Sequence, residues 1–373
     1  MSKARQLADL GNVYDDGALS HRNMVVNGAM TVVQRGTSFT GLGASDLYTL
    51  DRYKFDFGST SGRLTAEQST DAPNGFSHSF KLSCTTADTS IAASEKARII
   101  YSFEGQNLAS IAKGTSDAKP VTVSFYVKGN AAASYTCEFY DNDNNRQCSK
   151  IFNVTTDWTR VELTFPADTT GAFTYDNTTA VQLSFWLMAG SDYTSGTLNS
   201  SAFAASVQAN RVSSSQTNFF DSTSRTFQIT GAQLECSDTA TPFEHRSYGD
   251  ELARCQRYYQ IWGAKGKDYH AKPMWIYNST QAATTIDLPQ EMRATPSFSV
   301  VGNVQNSSGG SVGVSAWALY YAGAWVGCSA LEAGTASPTS FRLDADAFNS
   351  ITSGGACGLY GGTDCYITLD SEL

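Results

Sequence analysis

Short runs of β-branched and aromatic residues, separated by turn-forming residues, restrict the fold of this sequence more than any other feature. Ten such runs lie between residues 23 and 246, and Gly, Asn, Asp, Ser or Pro separates each from the next. No helical period interrupts them, and they cover residues 24–33, 48–57, 76–84, 97–103, 121–128, 135–140, 150–154, 159–165, 181–188 and 226–234. Many short strands without helices between them are typical of a sandwich or barrel. We therefore predict an antiparallel jelly-roll β-sandwich in residues 23–246.

The hydrophobic period changes after residue 246. Four side chains are spaced three, four and three residues apart, which places them on one face of a helix: Leu252, Cys255, Tyr259 and Trp262. Ser247 and Asp250 have the spacing of an N-terminal cap, and Gly263 follows as a natural stop. We predict a connecting helix in residues 247–263.

The pattern returns to β after the predicted helix. Short apolar runs are separated by glycine-rich turns and cover residues 274–278, 284–288, 298–304, 315–321, 325–331, 340–343 and 365–369. This pattern predicts a smaller C-terminal β-sandwich in residues 264–373, so the whole chain belongs to the all-β class.

Three sequence segments carry a family resemblance. Residues 229–235 (ITGAQLE) and 241–259 (TPFEHRSYGDELARCQRYY) resemble the segment that ends the β-domain of phage and prophage tail-fibre proteins. Residues 23–36 (NMVVNGAMTVVQRG), with the DRY triplet at 51–53, resemble the start of that domain. Residues 288–300 (LPQEMRATPSFSV) resemble part of the small β-domain that follows it.

The resemblance implies a structural protein of a phage virion, a tail fibre or receptor-binding protein, with a jelly roll like those of carbohydrate-binding modules. It also implies a homotrimer that is assembled in the host cytoplasm, is displayed on the virion and adheres to host surface glycans. An inert part, such as a head fibre, decoration protein or adaptor, is the alternative. A polysaccharide depolymerase is a third possibility.

Residues 1–22 are polar apart from a possible short helix that places Ala4, Leu7 and Leu10 on one side. The resemblance implies that this segment attaches the chain to other virion proteins. A frayed terminus is the alternative interpretation.

Charge and hydropathy disfavour two classes of partner. The formal net charge of −9, with no cluster of Lys or Arg, disfavours nucleic acid because phosphates would be repelled. No long apolar run and no basic-then-apolar leader is present, so we expect neither a membrane span nor a signal peptide.

The sequence holds no recognisable catalytic or metal-binding motif. The four histidines are scattered, and the spacings of zinc sites, nucleophile elbows and phosphate loops are missing. His245 is most simply a packed corner residue. We expect no enzymatic activity, no cofactor and no metal, although a pair of glycosidase carboxylates would meet only in space.

One hairpin raises two further questions. Residues 141–145 (DNDNN) have the oxygen-rich composition of a calcium loop, but a plain turn explains Asn and Asp equally well. Cys137 and Cys148 are equidistant from a turn at Asn142-Asp143, so a regular hairpin would place the two cysteines opposite each other, most simply as reduced thiols.

Aromatic side chains on the polar positions of three strands suggest a sugar site. Strand alternation places Tyr126, Tyr140 and Trp186 together on the non-core face of a sheet, where flat rings stack on sugars. The alternative is that a loop or another subunit covers this face. The polar segment 189–218 is expected to be exposed or draped over the surface. The helical seam likewise has two interpretations, packing against its own domains or meeting two other copies around a threefold axis.

Overall fold

The computed structural model describes residues 22–263, 265, 270–304, 316–347 and 350–373. Within these residues the predicted all-β class is confirmed, since strands in four sheets dominate and the α-helices are short. The chain forms two compact units, one of residues up to Glu251 together with Leu373, the other of residues 252–372. Ala4, Leu7 and Leu10 lie outside the described residues.

From residue 22 onwards, the first unit contains thirteen strands and one short α-helix, α1 (Ser191–Thr194). Turns of 3-10 helix lie at Gly105–Ile111, Gln208–Asn210 and Phe219–Asp221. The strands are β1 (Ser38–Leu42), β2 (Leu47–Tyr48), β3 (Lys54–Gly58), β4 (Arg63–Ser69), β5 (Ser79–Thr86), β6 (Lys96–Glu104), β7 (Val121–Gly129), β8 (Ala133–Asp141), β9 (Arg146–Val154), β10 (Thr159–Phe165), β11 (Thr179–Ala189), β12 (Ala204–Ala205) and β13 (Thr226–Glu235).

These strands form the predicted jelly-roll sandwich from two antiparallel sheets. One sheet has the order β1-β4-β5-β13-β7-β10 and the other the order β12-β9-β8-β11-β6-β3-β2. Large aromatic side chains join the sheets, since Phe125 of the first contacts Phe152 and Phe185 of the second with ring centroids 5.1 Å apart. Burial of such apolar faces is the main stabilising term of a sandwich.

The prediction of a strand at residues 24–33 is wrong. The backbone there is irregular, with φ of 60° at Asn27 and 57° at Met30. The side chain of Asn27 replaces a strand partner, because its amide accepts from Val32 N and donates to Val32 O, both at 2.9 Å. Local side-chain hydrogen bonds of this kind compete with sheet pairing.

A buried ionic cluster ties the two ends of the jelly roll together. Arg246 donates to the carbonyl oxygens of Asn23 and Val25 and forms a 2.8 Å ion pair with Glu251. Glu251 in turn accepts a hydrogen bond from Asn27 N, and Glu244 accepts one from Asn23 N at 2.7 Å. We call Glu244, Arg246, Glu251 and the backbone of residues 23–27 the corner clamp.

The corner clamp gives a structural role to three sequence motifs of this unit, residues 23–36, the DRY triplet at 51–53 and residues 241–251. Residues 23–36 and 241–251 contact each other directly. The DRY triplet joins the same region, because the Asp51 carboxylate accepts from Gln34 N at 2.7 Å and the Arg52 guanidinium donates to Ser102 O at 2.7 Å. These motifs therefore hold the fold together.

The connecting helix is shorter than predicted. Helix α2 covers Tyr248–Gln256, and its predicted cap is present, since Ser247 Oγ accepts from Asp250 N at 3.2 Å. Tyr259 and Trp262 lie on the next strand, β14 (Tyr259–Gly263), and do not share a helix face with Leu252 and Cys255.

The helix ends early because the sequence from Tyr259 to Trp262 favours a strand. Tyr, Ile and Trp have high strand propensity, and five backbone positions of β14 pair with the strand that ends the chain. The predicted helical seam is therefore corrected. The ring of Trp262 lies parallel to that of Trp317 with centroids 6.3 Å apart, so it contributes to the core of its own unit.

The second unit is a small two-sheet β structure. Its further strands are β15 (His270–Ile276), β16 (Gln281–Asp287), β17 (Ser297–Val301), β18 (Asn303–Val304), β19 (Ala316–Tyr321), β20 (Ala324–Ala336), β21 (Ser340–Ala347), β22 (Ala356–Gly361) and β23 (Tyr366–Asp370). A three-stranded sheet, β14-β23-β17, shares one core with a sheet of order β18-β19-β20-β21-β16-β15-β22. The larger sheet closes on itself because β22 also pairs with β19.

Cys137 and Cys148 do not lie directly opposite each other. The register pairs Cys137 with Lys150 and Phe139 with Cys148, because the turn is centred one residue later than a regular hairpin would have it. Both cysteines are buried and free. Burial raises the pKa of Cys148 to about 11 and the pKa of Cys137 well above its usual value.

In the part of the chain that the structure covers, no helix has both the length and the hydropathy needed to cross a membrane.

Replacement of Glu251 by Gln tests the corner clamp. The variant removes the closer of the two carboxylates that pair with the Arg246 guanidinium and leaves only Glu244, at 3.5 Å, so we expect unfolding in urea to show a loss of ~2–3 kcal/mol. Glu162→Gln is the matched control, because Glu162 pairs with Arg160 on the surface with its side chain 49% exposed. The control should stay within about 0.5 kcal/mol of the wild type. Equal effects of the two variants would contradict a special role of the clamp.

Candidate ligand-binding surface

The three aromatic residues predicted to hold a sugar do not share a face. Tyr126 lies on β7 of the six-stranded sheet, whereas Tyr140 and Trp186 lie on β8 and β11 of the seven-stranded sheet. Tyr126 packs against Phe76, with ring centroids 5.4 Å apart. Strand alternation assigns a residue to a face of its own sheet, but it does not say which strands join which sheet.

A segment of the chain itself covers the face with Tyr140 and Trp186. Trp186 is fully buried and donates from Nε1 to Glu138 Oε2 at 3.0 Å. Arg211 comes from the polar segment 189–218, and its guanidinium lies 4.7 Å from the ring centroid of Tyr140 and 5.2 Å from that of Trp186. Arg211 thus occupies the stacking position predicted for a sugar ring. Of the two interpretations, the covering loop is the one observed.

The covered face holds a buried network of charges. Arg211 forms a bidentate pair with Glu138 at 2.7 and 2.8 Å, and Arg98 lies 3.5 Å from the same carboxylate. Arg98 and Lys96 each bind Asp56 at 2.7 Å. Burial opposes ionisation of Asp56, but the charge of Arg98 and the hydrogen bond from Lys96 outweigh it and hold the pKa of Asp56 below its ordinary value of 3.8.

The acidic turn at residues 141–145 already holds a cation from the protein. Lys113 Nζ lies 2.6 Å from Asp141 Oδ2 and 3.1 Å from Asp168 Oδ2. A calcium ion at Asp141 would have to displace this buried ammonium group. No group of three or more His, Cys, Asp or Glu side chains suited to a metal is found among the residues that the structure covers.

His245 packs in an aromatic corner. Its ring lies 4.8 Å from that of Phe243 and 5.2 Å from that of Phe76. A cavity of about 110 Å³ adjoins these residues and the corner clamp. His245 therefore contacts two aromatic rings at the corner, but the residue itself is exposed.

The second unit presents a set of exposed aromatic side chains that the sequence interpretation missed. On β15, Met274 and Ile276 point into the core, so Pro273 and Trp275 point outwards, and Trp275 is 60% exposed. On β19 the inward residues are Trp317 and Leu319, which leaves Tyr320 outside and 39% exposed. The alternation of inward and outward residues on these strands is visible in the sequence.

Strand register brings these side chains onto one outer surface. Trp275 pairs with Ala356, and Pro273 pairs with Gly358. Gly358 also pairs with Tyr320, which in turn pairs with Trp325. Directly paired residues point to the same side of a sheet. We call the aromatic residues on and beside this surface the aromatic wall: Trp275, Tyr277, Tyr320, Trp325 and Tyr360.

An open groove lies beside Trp275. The β15–β16 ladder has only two paired positions and ends before Pro273, which has no backbone N–H to donate. The groove that opens between the two strands measures about 780 Å³, within the usual size of ligand sites. Its walls include Trp275, Tyr277 and Thr285.

One ion pair borders the groove. Arg342 donates to Asp344 Oδ1 from Nε at 3.0 Å and from Nη2 at 2.7 Å, and its guanidinium lies 5.0 Å from the ring centroid of Tyr277. The hydroxyl of Tyr277 donates to the same Asp344 oxygen at 3.3 Å. Burial and the charge of Asp344 raise the pKa of Tyr277. The pair cancels its own charge, so the groove offers flat rings and hydroxyl groups without net charge.

Comparisons with known proteins find similarity only among solved structures. No protein-family model matches the chain, and no curated protein matches it significantly. The chain is similar to the family 11 carbohydrate-binding module of Clostridium thermocellum in complex with a β-1,3-1,4-mixed-linked tetrasaccharide, with 11% identity, 55% of this chain and 98% of that one covered and a TM-score of 0.29.

Two further solved structures show the same level of similarity. The CBM22-1 xylan-binding domain of Paenibacillus barcinonensis Xyn10C has 11% identity and a TM-score of 0.27, with 54% of this chain and 94% of that one covered. The enzymatically active domain of tailspike protein 4 of bacteriophage CBA120 has 13% identity and a TM-score of 0.29, with 57% and 21% covered. The fold class of this chain rests on its own sheets, described above.

Replacement of Asp56 by Asn tests the covered charge network through pH. Because the folded pKa of Asp56 lies below 3.8, its stabilising contribution is complete above that pH and is lost as the pH falls through the folded value. We expect the wild type to exceed the variant in unfolding free energy by ~2 kcal/mol at neutral pH. The unfolding free energies of the wild type and the variant, measured in urea, should converge below about pH 3.8. A difference that persists or grows on acidification would contradict the pairing.

Proposed function

We propose that this chain is a structural protein of a phage virion, a tail fibre or receptor-binding protein, that adheres to glycans on the host surface. The observation that carries the glycan part is the aromatic wall beside an open groove of about 780 Å³. Exposed rings next to hydroxyl groups are suited to sugars, because a sugar ring stacks on an aromatic face while its hydroxyls bind polar neighbours.

The proposed activity is binding and not turnover. Asp344, the carboxylate beside the groove, is engaged by Arg342 and Tyr277. Hydrolysis of a glycan ordinarily uses two carboxyl groups on opposite sides of the scissile bond. The bound glycan is therefore not cleaved.

The virion role is supported by the motif resemblance. The chain would be made in the host cytoplasm, joined to other virion proteins through residues 1–22 and displayed outside the particle as a homotrimer. Several copies per virion would turn weak individual contacts into firm attachment, since linked sites gain effective concentration.

A second candidate function is that of an inert structural part such as a head fibre, decoration protein or adaptor. The covered face of the jelly roll favours it, because Arg211 takes the position next to Tyr140 and Trp186 where a ligand would stack. The aromatic wall would then be a protein interface, a role that exposed aromatic patches also have.

Replacement of Trp275 by Ala tests glycan adhesion. The ligand is immobilised surface polysaccharide from a bacterium to which the virions adsorb. We expect the variant to bind it about tenfold more weakly because one stacking ring is lost. Tyr175→Ala is the control, since Tyr175 is 53% exposed in the other unit. The polysaccharide should keep its length during incubation with the wild type. A chain that does not bind would support the inert role, and shortened polysaccharide would indicate a depolymerase.

The mass of the purified protein tests the trimer. Light scattering after size exclusion should give three times the mass of one chain, at all concentrations down to the detection limit. A monomer of unchanged mass would contradict the proposed assembly while leaving glycan binding open to its own test.

A further inference from the structure

The aromatic wall contains two separate groups of rings. The first, the groove station, is Trp275 with Tyr277 at the opening between β15 and β16. The second, the cluster station, consists of Tyr320, Trp325 and Tyr360. In the cluster station the Trp325 ring lies 5.0 Å from each of the two tyrosine rings, centroid to centroid.

Small residues form the surface between the two stations. Outward positions of the intervening strand β22 hold Ala356 and Gly358. A Cβ added at Gly358 would lie 2.8 Å from the ring of Tyr360, so glycine is needed for that ring to lie over the strand. The path from Trp275 to Trp325 therefore meets no bulky obstruction.

The distance between the stations exceeds the size of one sugar ring. Trp275 on β15 and Trp325 on β20 are separated by three strand-to-strand steps, through β22 and β19. Neighbouring strands lie about 4.8 Å apart, so the path along the curved outer surface of this closed sheet is roughly 14 Å long. A single monosaccharide would reach only one station.

The path between the stations carries no charge. Its described outward positions are occupied by Pro273 and Trp275 on β15, residues 356, 358 and 360 on β22, and Tyr320 on β19, all uncharged. Arg342 and Asp344, the ion pair that borders the groove, neutralise each other. An acidic polymer would find no unpaired cation there, so an uncharged ligand complements this surface.

We propose that the aromatic wall is an extended site for an uncharged polysaccharide, which crosses strands β15, β22, β19 and β20 and stacks on both stations. This inference rests on the proposed function, and it adds the ligand class and the second station. The groove station alone would hold a short fragment, and the cluster station adds affinity only when the chain is long enough to reach it.

Chain-length dependence of binding tests the inference. The probes are neutral α-glucan, β-glucan, β-galactan and mannan oligosaccharides, each graded from the monosaccharide upwards and measured by calorimetry with the full-length protein. In the series that binds, affinity should rise with length until a fragment spans both stations. Trp275→Ala should weaken short and long fragments alike, whereas Trp325→Ala should weaken only the long ones, by about tenfold.

Control variants separate the possible outcomes. Tyr320→Ala should reproduce Trp325→Ala without removing a tryptophan, and Tyr175→Ala should bind as the wild type does. Affinity that is independent of length, or unaffected by both cluster-station variants, would overturn the extended site but leave the proposed function standing. Absence of binding throughout the panel would overturn both. Conversion of an oligomer to monomer by Trp275→Ala would identify the wall as a subunit interface and overturn both as well.

Discussion

One buried guanidinium group joins the start of the first unit to its end. Arg246 follows the last jelly-roll strand by eleven residues, yet it binds the carbonyl oxygens of Asn23 and Val25, which precede the first strand. Glu251 neutralises Arg246 and also accepts from Asn27 N, so the start of the helix is fixed to the same point. An unpaired buried charge is costly, so burial of Arg246 is favourable only when its carboxylate and carbonyl partners are all present. Residues 23–27 and 244–251 together build this clamp.

Polar residues serve different purposes on the two units. On the jelly roll, Arg211 and Glu138 close the outer face of the seven-stranded sheet, and Trp186 is buried beneath them. On the second unit, Pro273 interrupts a ladder and leaves Trp275 exposed beside a groove. Ligand binding is therefore better placed on the second unit, whereas the charged groups of the first contribute to its stability and to the position of segment 189–218.

Local pattern predicted many of the strands but missed β1, β4 and β22, and it placed a strand at residues 24–33 where the backbone is irregular. Nonlocal pairing set the limits of prediction. Period-two alternation identified β7, β11 and β13, and the Ser247–Asp250 spacing identified the start of α2. The end of α2 was misplaced because Tyr259 and Trp262 fit a helical period, while pairing with β23 decides in favour of a strand. Sheet membership and loop cover are not local properties, so the predicted sugar residues were assigned to one face although Tyr126 belongs to the other sheet.

The most direct test of whether the second unit binds the ligand is hydrogen–deuterium exchange, measured with and without a bound neutral polysaccharide. Backbone amides of β15, β19 and β22 should exchange more slowly in the complex, because the polymer would lie over them. Exchange in segment 189–218 and in strands β8 and β11 should stay unchanged. Slower exchange confined to that segment and those strands would contradict the account, because it would place the ligand on the jelly roll.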